Sequence, residues 1–102
     1  IMEQLSVVCD SNFEDFDYII AYEPVWAIGT GLMPKLEEIN QIHKFIKSYI
    51  FEKSKKKFNA QVLYGGSVNP KNINQIKSLS NVDGVLVGGA SLHPEKFKQI
   101  CL

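Results

Sequence analysis

With 102 residues, 45% of them hydrophobic and 22% charged, the chain has the size and composition of one globular domain. Its formal net charge of zero gives no reason to expect a nucleic-acid partner, and no apolar stretch approaches the roughly 20 residues that span a bilayer. Two distant cysteines, Cys9 and Cys101, lack metal-type spacing. They indicate reduced, packed thiols in a reducing, cytoplasmic compartment, and no secretory leader is recognisable.

The first elements are predicted to be a helix and a buried strand. Residues 1–9 carry apolar side chains at helical spacing, and the nearly continuous apolar run from Tyr18 to Tyr22 is typical of a strand buried on both faces. Proline cannot donate to a strand ladder and holds the preceding residue in an extended conformation, so Pro24 ends the strand. Glu23 is therefore expected to be its last residue.

An unusual loop follows this strand. The segment from Pro24 to Gly31, called the lid below, is mostly apolar and contains two glycines near its end. Such a loop behind a carboxylate indicates a flap that closes over a bound molecule and excludes water.

A long amphipathic helix is predicted after the lid. Pro34 suits the first helical position, and Glu37 and Glu38 favour the positive end of the helix dipole. His43 lies beside the apolar stripe and is expected to be a partly covered surface histidine. The stripe itself recurs at spacings of three and four and consists of Leu36, Ile39, Ile42, Ile46, Tyr49 and Ile50.

Two further strand–helix units complete the chain. Strands are predicted at 61–65 and 84–88. One helix is predicted after the N-cap Asn69, and the last helix begins at Pro94, with Phe97, Ile100 and Cys101 facing inward. Strict alternation of helices with buried strands predicts a parallel α/β sheet with right-handed crossovers.

Each predicted strand ends in residues suited to proton transfer or anion binding. The first ends at Glu23, the second at Gly65-Gly66-Ser67 and the third at Gly88-Gly89. Active sites of parallel sheets and barrels lie at this edge, and glycine pairs let backbone N–H groups approach an anion. Either glycine pair alone favours a simple tight turn. Both pairs at equivalent strand ends favour a phosphate site.

Three blocks of the sequence together resemble the triosephosphate isomerase family. They run from Ala21 to Gly31, from Tyr64 to Val68 and from Asp83 to Leu92, and the eleven-residue first block is highly specific. The resemblance extends over essentially the whole chain. It implies that residues 1–102 are the C-terminal part of a single (β/α)8 barrel domain, with strands at about 18–23, 61–65 and 84–88.

The resemblance also implies roles for individual residues. Glu23 corresponds to the base that interconverts dihydroxyacetone phosphate and glyceraldehyde 3-phosphate through an enediolate, a step of glycolysis and gluconeogenesis. No metal or cofactor is implied, and full-length members are homodimers. The phosphate-binding positions are Gly29, Ser67, Gly88 and Gly89, and the lid and its contacts are Pro24, Trp26, Ile28, Tyr64 and Leu86. Tyr64 is the latch of the closed lid, Ile28 and Leu86 press on Glu23, and Trp26 fits a hinge or a core position equally well.

The sequence departs from the family pattern in two ways. Leu32 stands where the family usually carries a lysine, so altered lid opening is expected. The family's asparagine-x-lysine and its carbonyl-polarising histidine have no counterpart, since His43 and His93 are expected on or beside helices away from the strand ends. We therefore expect these 102 residues to be inactive alone.

A three-stranded part of a barrel would also expose both sheet edges and an apolar inner face. Ile20, Leu63 and Leu86, or their neighbours, are the residues expected on that face. Uncovered strand edges and apolar surface favour self-association.

Three other interpretations stay open. Another phosphate-binding barrel enzyme would share the glycine loops, but the Glu23 lid argues against it. The chain could instead be a non-catalytic phosphate-binding or interaction module. It could also be the remnant of a truncated gene with no function.

Overall fold

The chain forms a three-stranded parallel sheet whose strands follow each other in chain order, with helices between them. A computed structural model describes residues 1–9, 19–27, 30–55 and 58–101. This arrangement confirms the predicted α/β alternation. The strands are β1 (Ile19–Tyr22), β2 (Gln61–Tyr64) and β3 (Gly84–Val85), and the helices are α1 (Met2–Cys9), α2 (Leu36–Lys53), α3 (Ile73–Lys77) and α4 (Pro94–Cys101). Short 3-10 turns occupy Val25–Ala27 and Gly89–Leu92.

The register aligns the carboxyl ends of the three strands. Tyr22 pairs with Tyr64, and Tyr64 pairs with Val85. All three strands are shorter than predicted, and β2 lacks only Gly65 at its end. β1 ends at Tyr22, which makes Glu23 the first loop residue, and residue 18 lies outside the described residues. β3 ends at Val85 because its partner ends at Tyr64, although the Leu86 N–H still donates to the Tyr64 carbonyl over 2.9 Å.

The sheet has one covered and one open face, because successive strand side chains alternate between faces. Val62 and Tyr64 point to the helices and are fully buried. On the other face Ile19 is 61% exposed. The prediction that the first strand is buried on both faces is therefore wrong, because no described element covers the open face. Of the residues expected on that face, Ile20 packs towards the helices, and its neighbour Ile19 takes the open face.

Two apolar clusters lie between the sheet and the helices. One joins α1 and α2 to β2, and the other joins α2, α3 and α4 to the end of β2. None of the helices in the described ranges is both long and apolar enough to cross a membrane. The buried members of the first cluster are Leu5, Ile46, Ile50, Ala60 and Val62, and those of the second are Ile39, Tyr64, Val68, Ile73, Ile76 and Ile100.

The helices largely show the predicted apolar stripes, and they differ from the prediction at the start of α2, at His43 and in α4. In α2 the stripe is confirmed, but the helix begins at Leu36, two residues after Pro34. His43 is not a surface residue, since its side chain is completely buried. In α4 only Ile100 is buried, whereas Phe97 is 41% exposed and Cys101 is an exposed free thiol. No described element covers the flanks of this short helix, so a single side chain reaches the core.

Asp83 ties α2 to the amino ends of β2 and β3. Its carboxylate accepts the Val62 N–H over 2.8 Å and lies 2.9 Å from the Lys47 ammonium. Burial alone would raise the pKa of Asp83, but the Val62 N–H and Lys47 lower this pKa more, and it lies below its ordinary value. A second tie runs from the Asn81 N–H to the Asn40 Oδ1 atom, over 2.9 Å.

Candidate active site at the carboxyl ends of the strands

The loops that follow β1 and β2 are joined directly at the sheet edge. The Gly65 N–H donates to the Tyr22 carbonyl over 2.8 Å, which continues the strand pairing one residue beyond β2. This bond brings Glu23 next to Gly65. A side chain on residue 65 would clash, because its Cβ atom would lie 2.5 Å from Glu23 Cγ and 3.1 Å from Glu23 Oε1. Glycine is therefore needed at 65 for the carboxylate, which is exposed, to lie across the β2 loop.

The first part of the lid is a tight turn attached to Ser67. The Ala27 N–H donates to the Pro24 carbonyl over 2.9 Å, and the buried Pro24 anchors the turn. The Ser67 hydroxyl donates to the Ala27 carbonyl over 2.7 Å. Trp26 is 53% exposed, which fits a loop position and not a core position.

The last part of the lid is held by Thr30. Its hydroxyl donates to the Trp26 carbonyl over 2.8 Å and accepts the Leu32 N–H over 3.1 Å. Gly31 has a φ of 75°, a left-handed conformation that glycine adopts without steric cost. Two predicted site residues, Ile28 and Gly29, lie outside the described residues.

A cleft of about 970 Å³ opens beside these loops at the same edge. It brings together three of the predicted phosphate-binding residues, Ser67, Gly88 and Gly89. Among the described residues that line it none is acidic, and two are lysines, Lys71 and Lys96. A cleft of one charge sign concentrates ions of the opposite sign, so this one favours anions.

The glycines after β3 border open space. A Cβ atom added at Gly88 or Gly89 would meet no atom within 4 Å, so both backbones are accessible from the cleft. The Ser91 hydroxyl donates back to the Gly88 carbonyl over 2.6 Å and fixes the 3-10 turn that follows.

Three residues of the cleft with basic side chains were not identified from sequence as part of the site. His93 was expected away from the strand ends, which is wrong, since it lines this cleft with Lys71 and Lys96. All three come within a few residues of a glycine loop or a helix start. That position is a signal that could have revealed them, because helix starts after phosphate-binding loops are preferred anion sites.

Other predicted site residues lie near the cleft without being among its described lining. Tyr64 is fully buried, and its hydroxyl contacts Gly66 and makes no hydrogen bond of good geometry within the described ranges. Burial raises the pKa of Tyr64, and the neighbouring Tyr22 adds to that rise. Leu86 is 39% exposed on the open face of the sheet.

A sequence model of the family described as triosephosphate isomerase matches residues 1–102. The chain belongs to the triosephosphate isomerase family. Similar proteins named triosephosphate isomerase include one from Thermodesulfovibrio yellowstonii, which is 55% identical in an alignment 82 positions long that covers 79% of this chain and 33% of that protein. The protein from Sulfurimonas denitrificans is 48% identical in an alignment 104 positions long, which covers 99% of this chain and 39% of that protein. The one from Brucella abortus is 43% identical in an alignment 102 positions long, which covers 99% of this chain and 40% of that protein.

The chain therefore spans two fifths or less of the length of these triosephosphate isomerases. Membership of the family and the parallel three-stranded sheet together identify the fold as part of an α/β barrel. The carboxyl ends of the strands, where Glu23 and the glycine loops lie, are the edge at which such barrels carry their active sites.

Proposed function

We propose that this chain supplies the C-terminal part of a triosephosphate isomerase that interconverts dihydroxyacetone phosphate and glyceraldehyde 3-phosphate. One observation carries the proposal: an exposed carboxylate, Glu23, lies against the loop of a cleft that has lysines and no acidic residue in its described lining. A base beside an anion site is what proton transfer on a phosphorylated carbonyl compound requires.

The substrate phosphate binds to backbone N–H groups at the strand ends in this proposal. The donors are those of Gly29, Ser67, Gly88 and Gly89. Glycine lets the backbone approach the phosphate oxygens closely, and Lys71 and Lys96 add attraction at longer range.

The proton transfer itself belongs to Glu23. Its carboxylate removes a proton from the carbon next to the substrate carbonyl, and the electron pair moves onto the carbonyl oxygen to give an enediolate. The same carboxyl group returns the proton to the neighbouring carbon, while the hydroxyl proton of the first carbon passes to the former carbonyl oxygen, so that the carbonyl group forms on the first carbon. The lid, with Pro24, Trp26 and Ile28, closes over the intermediate, Tyr64 latches the closed lid, and Leu86 packs beside the base.

Groups that stabilise the enediolate oxygens belong to the remainder of the barrel. The family resemblance assigns them to a lysine and a histidine with no counterpart here. Loss of one such donor costs on the order of 10²–10³ in rate, so turnover by the 102 residues alone is expected to be negligible. We place the complete enzyme in glycolysis and gluconeogenesis, as a cytoplasmic homodimer.

A complementation assay tests this function. The purified chain is expected to show no isomerase turnover above the buffer rate. Mixed with the remaining N-terminal part of the Sulfurimonas denitrificans relative, it is expected to gain turnover, and Glu23→Gln should lower that turnover by about 10²–10⁴. Glu37→Gln, on the exposed side of α2, is the matched control and should not change it.

Three outcomes would contradict the proposal. Turnover by the chain alone would overturn its expected inactivity. A folded mixture without turnover would overturn the role in the isomerase. Equal activity of the Glu23→Gln and Glu37→Gln mixtures would overturn the assignment of the base.

A non-catalytic phosphate-binding module is the second candidate. It is favoured by one observation, that Ser67, Gly88 and Gly89 share a cleft formed within this chain. Calorimetric binding of 2-phosphoglycolate by a chain that shows no turnover in the complemented mixture would favour this module. A chain with neither 2-phosphoglycolate binding nor isomerase turnover would favour the remnant of a truncated gene.

A further inference from the structure

Two hydrogen bonds attach the lid region to one short stretch of chain. On the near side, the Ser67 hydroxyl donates to Ala27. On the far side, Asn72 Nδ2 donates to the sulfur of Met33, two residues past the lid, over 3.4 Å. The same Nδ2 atom donates to the Ser67 carbonyl over 2.8 Å. The Asn72 side chain therefore lies where the two attachments meet.

The orientation of the Asn72 amide is determined by its neighbours. Its Oδ1 atom accepts the Asn69 N–H over 2.9 Å, and its two N–H bonds match the two acceptors, the Ser67 carbonyl and the Met33 sulfur. A flipped amide would set Oδ1 against the Ser67 carbonyl and Nδ2 against an N–H donor. An aliphatic or acidic side chain cannot make these three bonds.

The turn that carries Asn72 is itself fixed. Asn69 Oδ1 accepts the N–H groups of Lys71 and Asn72 over 2.8 and 3.0 Å. This local bonding holds the backbone of residue 72 in place, so that the side chain can restrain the two loops. Asn72 is half-buried, which limits competition from water for its amide bonds.

We propose that Asn72 is a positioning residue that couples the two ends of the lid to the Ser67 loop. This inference rests on the proposed function, in which the lid closes over a phosphate held by that loop. With the Nδ2 donor present, the Ser67 loop and the Met33 segment keep a fixed spacing. Without it, the Met33 end loses its tie to the Ser67 loop, and the two ends of the lid are joined through the Thr30 bonds to Trp26 and Leu32.

Amide hydrogen exchange and fluorescence of the full chain test this coupling. Asn72→Asp keeps the side-chain shape and the acceptor for Asn69 but removes the Nδ2 donor. Asn74→Asp is the matched control, the same change at an exposed position of α3. We expect exchange at the amides of Ala27 and Leu32 to become about five- to tenfold faster in Asn72→Asp and less than twofold faster in Asn74→Asp.

The fluorescence of Trp26 provides a measurement independent of amide exchange, because Trp26 is the only tryptophan in the sequence. We expect its fluorescence anisotropy to fall in Asn72→Asp and not in Asn74→Asp. A residue that only supported α3 locally would leave Trp26 and the Ala27 amide unchanged, since both lie more than 40 positions away in the sequence.

Asn72→Asp could destabilise the whole chain, and faster amide exchange at the core residue Val62 would reveal this. A second variant tests the coupling in that case. Met33→Leu keeps the apolar bulk and removes only the sulfur acceptor. It is expected to speed exchange at Leu32 by about two- to threefold without changing Val62. The coupling is overturned if the amide exchange rate of Leu32 is unchanged in Met33→Leu. It is also overturned if the exchange rate of Ala27 is unchanged in a folded Asn72→Asp chain.

A titration with inorganic phosphate separates this inference from the proposed function. In the parent chain, the amide resonance of Ser67 is expected to shift as phosphate is added. Absence of any shift in the parent counts against the phosphate site alone, because the exchange and anisotropy measurements need no phosphate.

Discussion

His43 is the residue whose titration is most directly linked to folding. Its side chain is fully buried on α2, and neither ring nitrogen makes a hydrogen bond of good geometry within the described part of the chain. Burial lowers the pKa of His43 below its ordinary value of 6.5, and Lys47 lowers it further, while Asp83 and the backbones of Asn81 and Val62 oppose this. The neutral imidazole is therefore the folded form.

This burial predicts that acidification destabilises the fold. Because the folded pKa is the lower one, the unfolded chain binds more protons between the two values. The contribution of neutral His43 to the free energy of unfolding is complete above about pH 6.5. It is lost as the pH falls towards the folded pKa, by at most about 1.4 kcal/mol per pH unit. Urea unfolding at pH 7.5 and 5.5 should show this loss.

Variants identify the histidine responsible. His43→Phe should flatten the pH dependence between 7.5 and 5.5, since the ring contacts to Tyr22 and Tyr64 tolerate an apolar ring. His93→Phe, a substitution at an exposed position, should leave the pH dependence of the unfolding free energy as it is in the parent chain. The same slope in His43→Phe as in the parent would refute the assignment.

The junction of β1 and β2 shows how the ends of two elements position one functional group. The backbone bond from Gly65 to Tyr22 continues the pairing past β2, and the absence of a side chain at 65 leaves room for Glu23. The position of the carboxylate is thus set by a residue 42 positions away in the sequence.

Gly65→Ala is predicted to displace Glu23 and to destabilise the chain by about 1–3 kcal/mol, because its methyl group would overlap the Glu23 side chain. Gly88→Ala is the control and should cost little for steric reasons, since its Cβ atom meets open space. Urea unfolding measures both. Glu23→Ala should relieve much of the cost of Gly65→Ala, and strictly additive effects would contradict the overlap.

At the scale of the whole molecule, the open face of the sheet dominates the behaviour of the isolated chain. Ile19 and Leu86 are 61% and 39% exposed there, and β1 and β3 are both edge strands. Exposed apolar surface beside unpaired strand edges favours contact with another chain.

We predict that the isolated chain self-associates with rising concentration and that Ile19→Lys weakens this association at least several-fold, because a charge on the open face opposes its burial. Sedimentation velocity over a concentration series measures the effect. Phe45→Lys is the control, because Phe45 is a similarly exposed apolar residue on α2. A monomer at all concentrations, or equal weakening by both variants, would contradict the role of this face.

Local sequence patterns determined the elements and their order. The stripe of α2, the proline after Glu23 and the glycines after β2 and β3 act over a few residues, so spacing and residue type suffice to predict them. Three blocks, among them the highly specific eleven-residue run from Ala21 to Gly31, likewise identified the family from sequence alone.

Only the tertiary structure decided which side chains are covered and which meet. Spacing on α2 could not reveal that His43 is buried, because its cover comes from β1 and β2. Nor could it assign Ile20 to the helix side, place His93 in the cleft, or bring Asn72 to Met33. These contacts join residues distant in sequence, and their geometry depends on how the packed sheet and helices orient each backbone.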